Sequence, residues 1–188
     1  IWNSEEINSV LETVDLSSPK GKRDAAMITI AAELGVRSKD ICDLKLLDID
    51  WEACTIRFVQ SKTKKPNVLP LSEKVGSAII RYLQVRPETD CENVFVRFIP
   101  PYDKMKSFAT TFGRYVSRSG VTIPKDAHHG VHSLRASVAT KMLAADVSPD
   151  VIYPILGHAD RETLNHYLRL DIENLRKCAL SFEGGEFI

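Results

Sequence analysis

Five short polar clusters stand at the punctuation points of this sequence: Gly35-Val36-Arg37-Ser38-Lys39-Asp40, Ser61-Lys62-Thr63-Lys64-Lys65, His132-Ser133-Leu134-Arg135, Leu156-Gly157-His158 and His166-Tyr167. Their side chains are of types that can bind anions, exchange protons or attack as nucleophiles. A guanidinium presents a planar fork matching two phosphate oxygens. An imidazole exchanges protons near neutral pH, and an ammonium can deliver one. A phenol, with a reference pKa of about 10, attacks only with help. Taken one at a time, each residue also has a structural explanation. Arg37 behind a helix-ending glycine suits a surface charge or a partner for the helix dipole. Lys62 suits a solvated loop, and Tyr167 a half-buried ring with its hydroxyl in water.

A metal centre is the rival chemistry. His128 and His132 are four apart and His129 adjoins them, a spacing that helical zinc sites use. Yet His128-His129-Gly130 reads as a loop, and no Glu stands between the histidines as in a metalloprotease. Tyr82, Tyr102, Tyr115 and Tyr153 are rival nucleophiles. They fall on apolar stripes, in a loop, or away from the His132 cluster, so core packing is the better reading.

These residues need a scaffold, and the hydrophobic pattern supplies a mainly α one with a small antiparallel β-sheet (α+β). Asn3 and Glu6 stand at capping-box spacing before a helix with Ile7, Val10, Leu11 and Val14 on one face. Ser17-Ser18-Pro19-Lys20-Gly21 reads as a break. A second helix is expected from near Lys22, through Met27, Ile30, Ala31 and Leu34, until Gly35 stops it. A short helix follows Ser38. Residues 55–59 read as a strand and 68–71 as its partner, across a polar tip at 60–67 rich in lysine. Ser72 caps a helix that Pro87 ends. Further helices are expected over 104–118, 133–145, from Ser148-Pro149 to Gly157, 163–168 and 172–179.

Composition excludes several classes. The 188 residues are 44% hydrophobic and 27% charged, values of an ordinary globular domain rather than a disordered or fibrous chain. The longest charge-free apolar stretch, residues 25–32, is far shorter than the ~20 residues of a membrane helix. The opening Ile-Trp-Asn-Ser-Glu-Glu lacks the pattern of a secretory signal, and Ile1 is expected of a piece of something longer. Four cysteines, Cys42, Cys54, Cys91 and Cys178, form no Cys-x-x-Cys pair, so reduced thiols are expected. The formal net charge is zero, but residues 51–150 carry fifteen Lys and Arg against nine Asp and Glu. That asymmetry permits an anionic partner at the middle of the chain.

In combination and in this order, the five clusters resemble the catalytic domain of the tyrosine recombinase, or phage integrase, family over nearly the whole chain. The family pattern is Gly-x-Arg-x-x-Glu ending a buried helix, Lys-Thr-Gly-Lys at a hairpin, His-x-x-Arg, Leu-Gly-His, and a tyrosine nine residues beyond that histidine. Here His132 and Arg135 are three apart, and His158 and Tyr167 nine apart. Asp40 replaces the commoner Glu. Lys64 stands where glycine is common, which implies a different turn and leaves Lys64 and Lys65 as alternatives to Lys62.

The resemblance implies a site-specific recombinase that cuts and rejoins DNA without metal or ATP. It implies Tyr167 as nucleophile, Arg37 and Arg135 as phosphate clamps, His132 as base and Lys62 as acid to the leaving 5′-oxygen. His158 would donate to a phosphate oxygen, and Asp40 would orient Arg37 or His132. Lys64, Lys65, Lys104, Lys106, Arg114 and Arg118 are expected along the DNA backbone. The implied assembly is a homo-tetramer on a double-stranded recombination site, with residues 171–188 docking in trans, and with an N-terminal DNA-gripping domain outside this chain. A cytoplasmic location in a bacterium, phage or mobile element is implied too. A type IB topoisomerase-like relaxase and a catalytically silent DNA-binding module are the alternatives.

Overall fold

The computed structural model describes residues 1–123 and 130–156. Within them seven α-helices, a one-turn 3-10 helix (Leu46–Asp48) and one three-stranded antiparallel sheet are formed, the α-helices and strands in the order α1 (Ser4–Glu12), α2 (Pro19–Leu34), α3 (Ser38–Asp43), β1 (Ile49–Asp50), β2 (Thr55–Val59), β3 (Pro66–Pro70), α4 (Glu73–Leu83), α5 (Ala109–Arg118), α6 (Val131–Ala144) and α7 (Pro149–Leu156). The mainly helical architecture with a small sheet is the one the hydrophobic pattern called for.

The capping box at α1 is made in full: Asn3 Oδ1 accepts the Glu6 N–H at 2.8 Å, and Glu6 Oε2 accepts the Asn3 N–H at 2.9 Å. α2 starts at Pro19 rather than near Lys22. The segment expected to break the chain is instead a cap, because Ser18 Oγ accepts the Gly21 N–H and proline needs no donor at the first helical position. Every residue from Ala25 to Ala32 is buried, so α2 is enclosed on all sides, and α4 and α6 are its main neighbours.

β2 pairs with β3 in the register Ile56↔Leu69 and Phe58↔Asn67, and with β1 through Ile49↔Ile56. β3 begins at Pro66, two residues before its predicted start, and both its ends are proline. Proline is tolerated because β3 is an edge strand. The two-residue β1 is too short to show periodicity and was not predicted. α5 starts at Ala109 rather than 104. Lys104 is extended instead, in an antiparallel bridge with Val96, and the Met105 N–H donates to the Phe95 carbonyl at 3.0 Å. α4 stops at Leu83, ahead of Pro87, and α6 starts two residues earlier than expected. The predicted helices over 163–168 and 172–179 lie outside the described residues.

One apolar core runs through α1, α2, α4, the sheet and α5 to Val131 and Leu134 of α6. Trp2, fully buried, ties the start of the chain to α6: its backbone N–H donates to Ser137 Oγ at 2.6 Å and its indole N–H to Ser133 Oγ at 2.9 Å. Its ring meets Phe112 of α5 edge-on at 5.5 Å. A smaller cluster of Val138, Ala139, Ile152 and Leu156 joins α6 to α7. Among the described residues no helix is long and apolar enough to cross a membrane.

Candidate active site

The C-terminal end of α2 is the base of the site. Gly35 caps the helix with φ 63°, a left-handed conformation that glycine adopts without a Cβ penalty. A Cβ there would lie 2.9 Å from Leu156 Cδ2 and 3.3 Å from Val138 Cβ. The missing side chain therefore lets α6 and α7 close over the turn. Two residues on, Arg37 occupies the position before α3, and Asp40 lies in the first turn of that helix.

Arg135 reaches this turn from α6. It is buried, and its Nη1 donates to the Gly35 carbonyl. Arg37 Nη1 stands 3.9 Å from Asp40 Oδ2. The other Asp40 oxygen accepts the Ser61 backbone N–H at 2.8 Å. A single carboxylate, 4% exposed, thus holds an arginine and the tip of the β2–β3 hairpin. Arg37, Asp40, Gln60, Asn67 and Arg135 line one recess together with Phe58 and Ile155.

The hairpin loop closes tightly: the Gln60 N–H donates to the Lys65 carbonyl and the Lys64 N–H to the Gln60 carbonyl, each at 2.9 Å. Lys64 takes φ 57°, the left-handed conformation for which glycine is the easier residue. Lys62, Lys64 and Lys65 are all exposed on this loop, and Lys62 directly follows the residue that Asp40 anchors. His132, on α6 one turn before Arg135, is exposed, whereas its neighbours Val131 and Ser133 are buried. His158 and Tyr167 lie outside the described residues.

Two rival nucleophiles are structural. Tyr82 is fully buried, its Oη accepts the Val96 N–H at 3.2 Å, and burial pushes its phenol up. Tyr115 donates to Asp24 Oδ2 at 3.0 Å. Burial, and after it the Asp24 charge, pushes that phenol up to about 12. Asp24 itself is held by Arg23, at 2.6 Å from Nη2 and 2.9 Å from Nε. Neither phenol is placed to become a phenolate at neutral pH.

Of the residues expected along DNA, Lys106, Arg114 and Arg118 are exposed, the last two on the face of α5 opposite Phe112 and Val116. Lys104, also exposed, donates to Asp43 Oδ1 at 2.6 Å, and Lys39 takes the other Asp43 oxygen at 3.0 Å. Among the described residues no group of three or more His, Cys, Asp or Glu could hold a metal ion; His128 and His129 lie outside them. Cys42, Cys54 and Cys91 are free thiols.

The pattern reading did not single out Gln60, Asn67 or Trp2. Asn67 on β3 and Gln60, one residue past the end of β2, occupy inward positions, where alternation calls for apolar side chains. That mismatch was the available signal.

Residues 2–174 match the model of the phage integrase family. The chain is 37% identical over 188 residues to y4gC of Sinorhizobium fredii, whose name places it among integrases and recombinases, covering 99% of this chain and 97% of that protein. It is 30% identical over 180 residues to tyrosine recombinase XerC 2 of Ralstonia nicotianae, covering 94% of this chain but 51% of the relative. The fold superposes on the crystal structure of XerA recombinase with a TM-score of 0.77 at 23% identity, covering 99% of this chain and 65% of that one. XerH site-specific recombinase bound to a palindromic difH substrate gives a TM-score of 0.76 at 23% identity, over 97% of this chain and 53% of that one. The sequence clusters, the paired arginines over the end of α2 and these likenesses agree, and the chain belongs to the phage integrase family of tyrosine recombinases.

Proposed function

We propose that this chain is the catalytic part of a site-specific recombinase that cuts and rejoins double-stranded DNA through a 3′-phosphotyrosyl link. The convergence of Arg37 and Arg135 on one recess, beside a hairpin that carries Lys62, is the observation that supports this most. In-line attack at phosphorus builds negative charge on the equatorial oxygens, and two positioned guanidiniums stabilise it. Tyr167 Oη forms the bond to phosphorus as the bond to the 5′-oxygen breaks. His132 accepts the phenolic proton, and the Lys62 ammonium supplies one to the departing oxygen, so the protons balance. His158 donates to a phosphate oxygen. Asp40 positions Arg37 through one oxygen and the hairpin through the other.

One phosphodiester is exchanged for another of similar energy, so the strand can rejoin a different 5′-hydroxyl without ATP. Exchange between two duplexes needs several active sites together, and we assign to this protein a homo-tetramer on DNA, with residues 171–188 as the docking segment. Among solved relatives, a lambda integrase tetramer has been seen bound to a Holliday junction.

The test uses a pool of nicked duplexes with randomised cores, incubated without divalent metal, from which covalent protein–DNA adducts are recovered under denaturing conditions. The parent chain is expected to yield adducts on a peptide containing Tyr167, and Tyr167→Phe none, with DNA binding retained. Arg135→Ala is expected to lose adduct by at least ~100-fold. Adduct in Tyr167→Phe would overturn the nucleophile; undiminished adduct in Arg135→Ala would overturn the clamp.

A further inference from the structure

In the β2–β3 hairpin, Ile56 and Phe58 of β2 and Gln60 just past its end point inward, as do Leu69 and Asn67 of β3. Apolar side chains are expected at all five, yet the two next to the lysine loop are amides, 2% and 8% exposed. Burying an amide is unfavourable unless its hydrogen bonds are made. Both amides reach the end of α7. Gln60 Nε2 donates to the carbonyls of Pro154 and Ile155 at 3.1 and 3.4 Å, and Asn67 Nδ2 donates to Ile155 at 2.8 Å.

Carbonyls in the last turn of a helix have no donor within it. Here the donors come from a hairpin roughly ninety residues away in the chain. Gln60 also turns its own oxygen to the loop, accepting from Thr63 Oγ1 at 2.7 Å, so the same side chain touches the residue after Lys62. In sequence, Ile155 is followed by Leu156-Gly157-His158.

We infer that Gln60 and Asn67 are positioning residues that lock the Lys62 hairpin to the end of α7, so that the lysine loop and that helix end keep one fixed relation. The inference rests on the proposed role of Lys62 as acid. The lysine loop is then held from two directions, by Asp40 at Ser61 on the α3 side and by the two amides on the α7 side. Releasing the second anchor leaves the arginines in place and lets the ammonium wander, and general-acid chemistry is sensitive to displacements of about 1 Å.

Gln60→Met and Asn67→Leu keep side-chain size and remove the donors. Amide hydrogen exchange decides the coupling without DNA: faster exchange at 60–65 in either variant, with α2 unchanged, is expected, and unchanged hairpin exchange overturns the lock. Single-turnover cleavage then uses a duplex returned by the adduct selection, with the scissile link made either as the phosphodiester or with sulfur at the bridging 5′ position. A thiolate leaves without a proton, so a fault in the acid disappears on the sulfur substrate. Lys62→Ala is expected to slow oxygen-substrate cleavage about 100-fold and to recover with sulfur. The amide variants should slow it about tenfold and recover likewise. Slowing on both substrates alike, or none on oxygen, overturns the positioning role. Parent-like cleavage by Lys62→Ala would instead overturn the role of the lysine, and with it this use of the lock.

Discussion

Cys42 and Tyr115 are the two described residues whose ionisation the fold suppresses most. Burial, then the nearby Asp43 carboxylate, pushes the Cys42 thiol from an ordinary 9.0 up to about 12. Burial, then Asp24, moves the Tyr115 phenol from 10.0 to about 12. The unfolded chain therefore releases these protons at lower pH than the native one. Above pH 9.0 the native state binds more protons, so stability is full below that point and falls as pH rises toward about 12. The urea midpoint should decline across that window, and Tyr115→Phe should flatten the part above pH 10.0. At pH 8, iodoacetamide should alkylate exposed Cys54 and leave buried Cys42 intact; labelling of Cys42 in the folded chain would contradict its burial. Arg37, Asp40 and Arg135 were legible because their spacing from Gly35 and His132 survives in the sequence. Gln60 and Asn67 were not, since a polar residue at a loop margin looks solvated until the strand register turns it inward.

Among the elements, the end of α2 carries the most consequence. Gly35 combines a left-handed φ, contact with Val138 and Leu156, and a carbonyl that Arg135 uses. Gly35→Ala is expected to cost about 1–2 kcal/mol of stability from the backbone alone, read as a lowered urea midpoint with unchanged slope. It should also slow cleavage, because Arg135 loses its fixed rest. Parent-like stability would mean that the turn relaxes out of the left-handed region. Element identity was largely legible, as the exact limits predicted for β2 show. The starts of α2 and α5 were not. At α2 a serine–proline pair, which reads equally as a break, serves as a cap. At α5 the bridge of Lys104 to Val96 holds residues 104–108 outside the helix that periodicity alone would have claimed.

Across the whole molecule, Trp2 joins the two ends of the described chain. Its hydrogen bonds to Ser133 and Ser137 flank Arg135 by two residues on either side. Trp2→Ala should destabilise by about 3–5 kcal/mol through the lost packing against Phe112 and the core. Trp2→Phe, which keeps a ring but loses the indole donor, should cost about 1 kcal/mol; chemical denaturation measures both, and equal losses would mean that the donor rather than the ring is what matters. The sequence by itself determined the mainly helical class, the order of the polar clusters and the family they signal. The class follows from local periodicity, and the family from the resemblance that the ordered clusters carry. Only the tertiary structure decided that Arg135 rests on Gly35, that Asp40 joins Arg37 to the hairpin, and that two buried amides tie that hairpin to α7. Apart from the local Arg37–Asp40 pair, each of these is a contact between residues far apart in sequence, made by packing that no local pattern encodes.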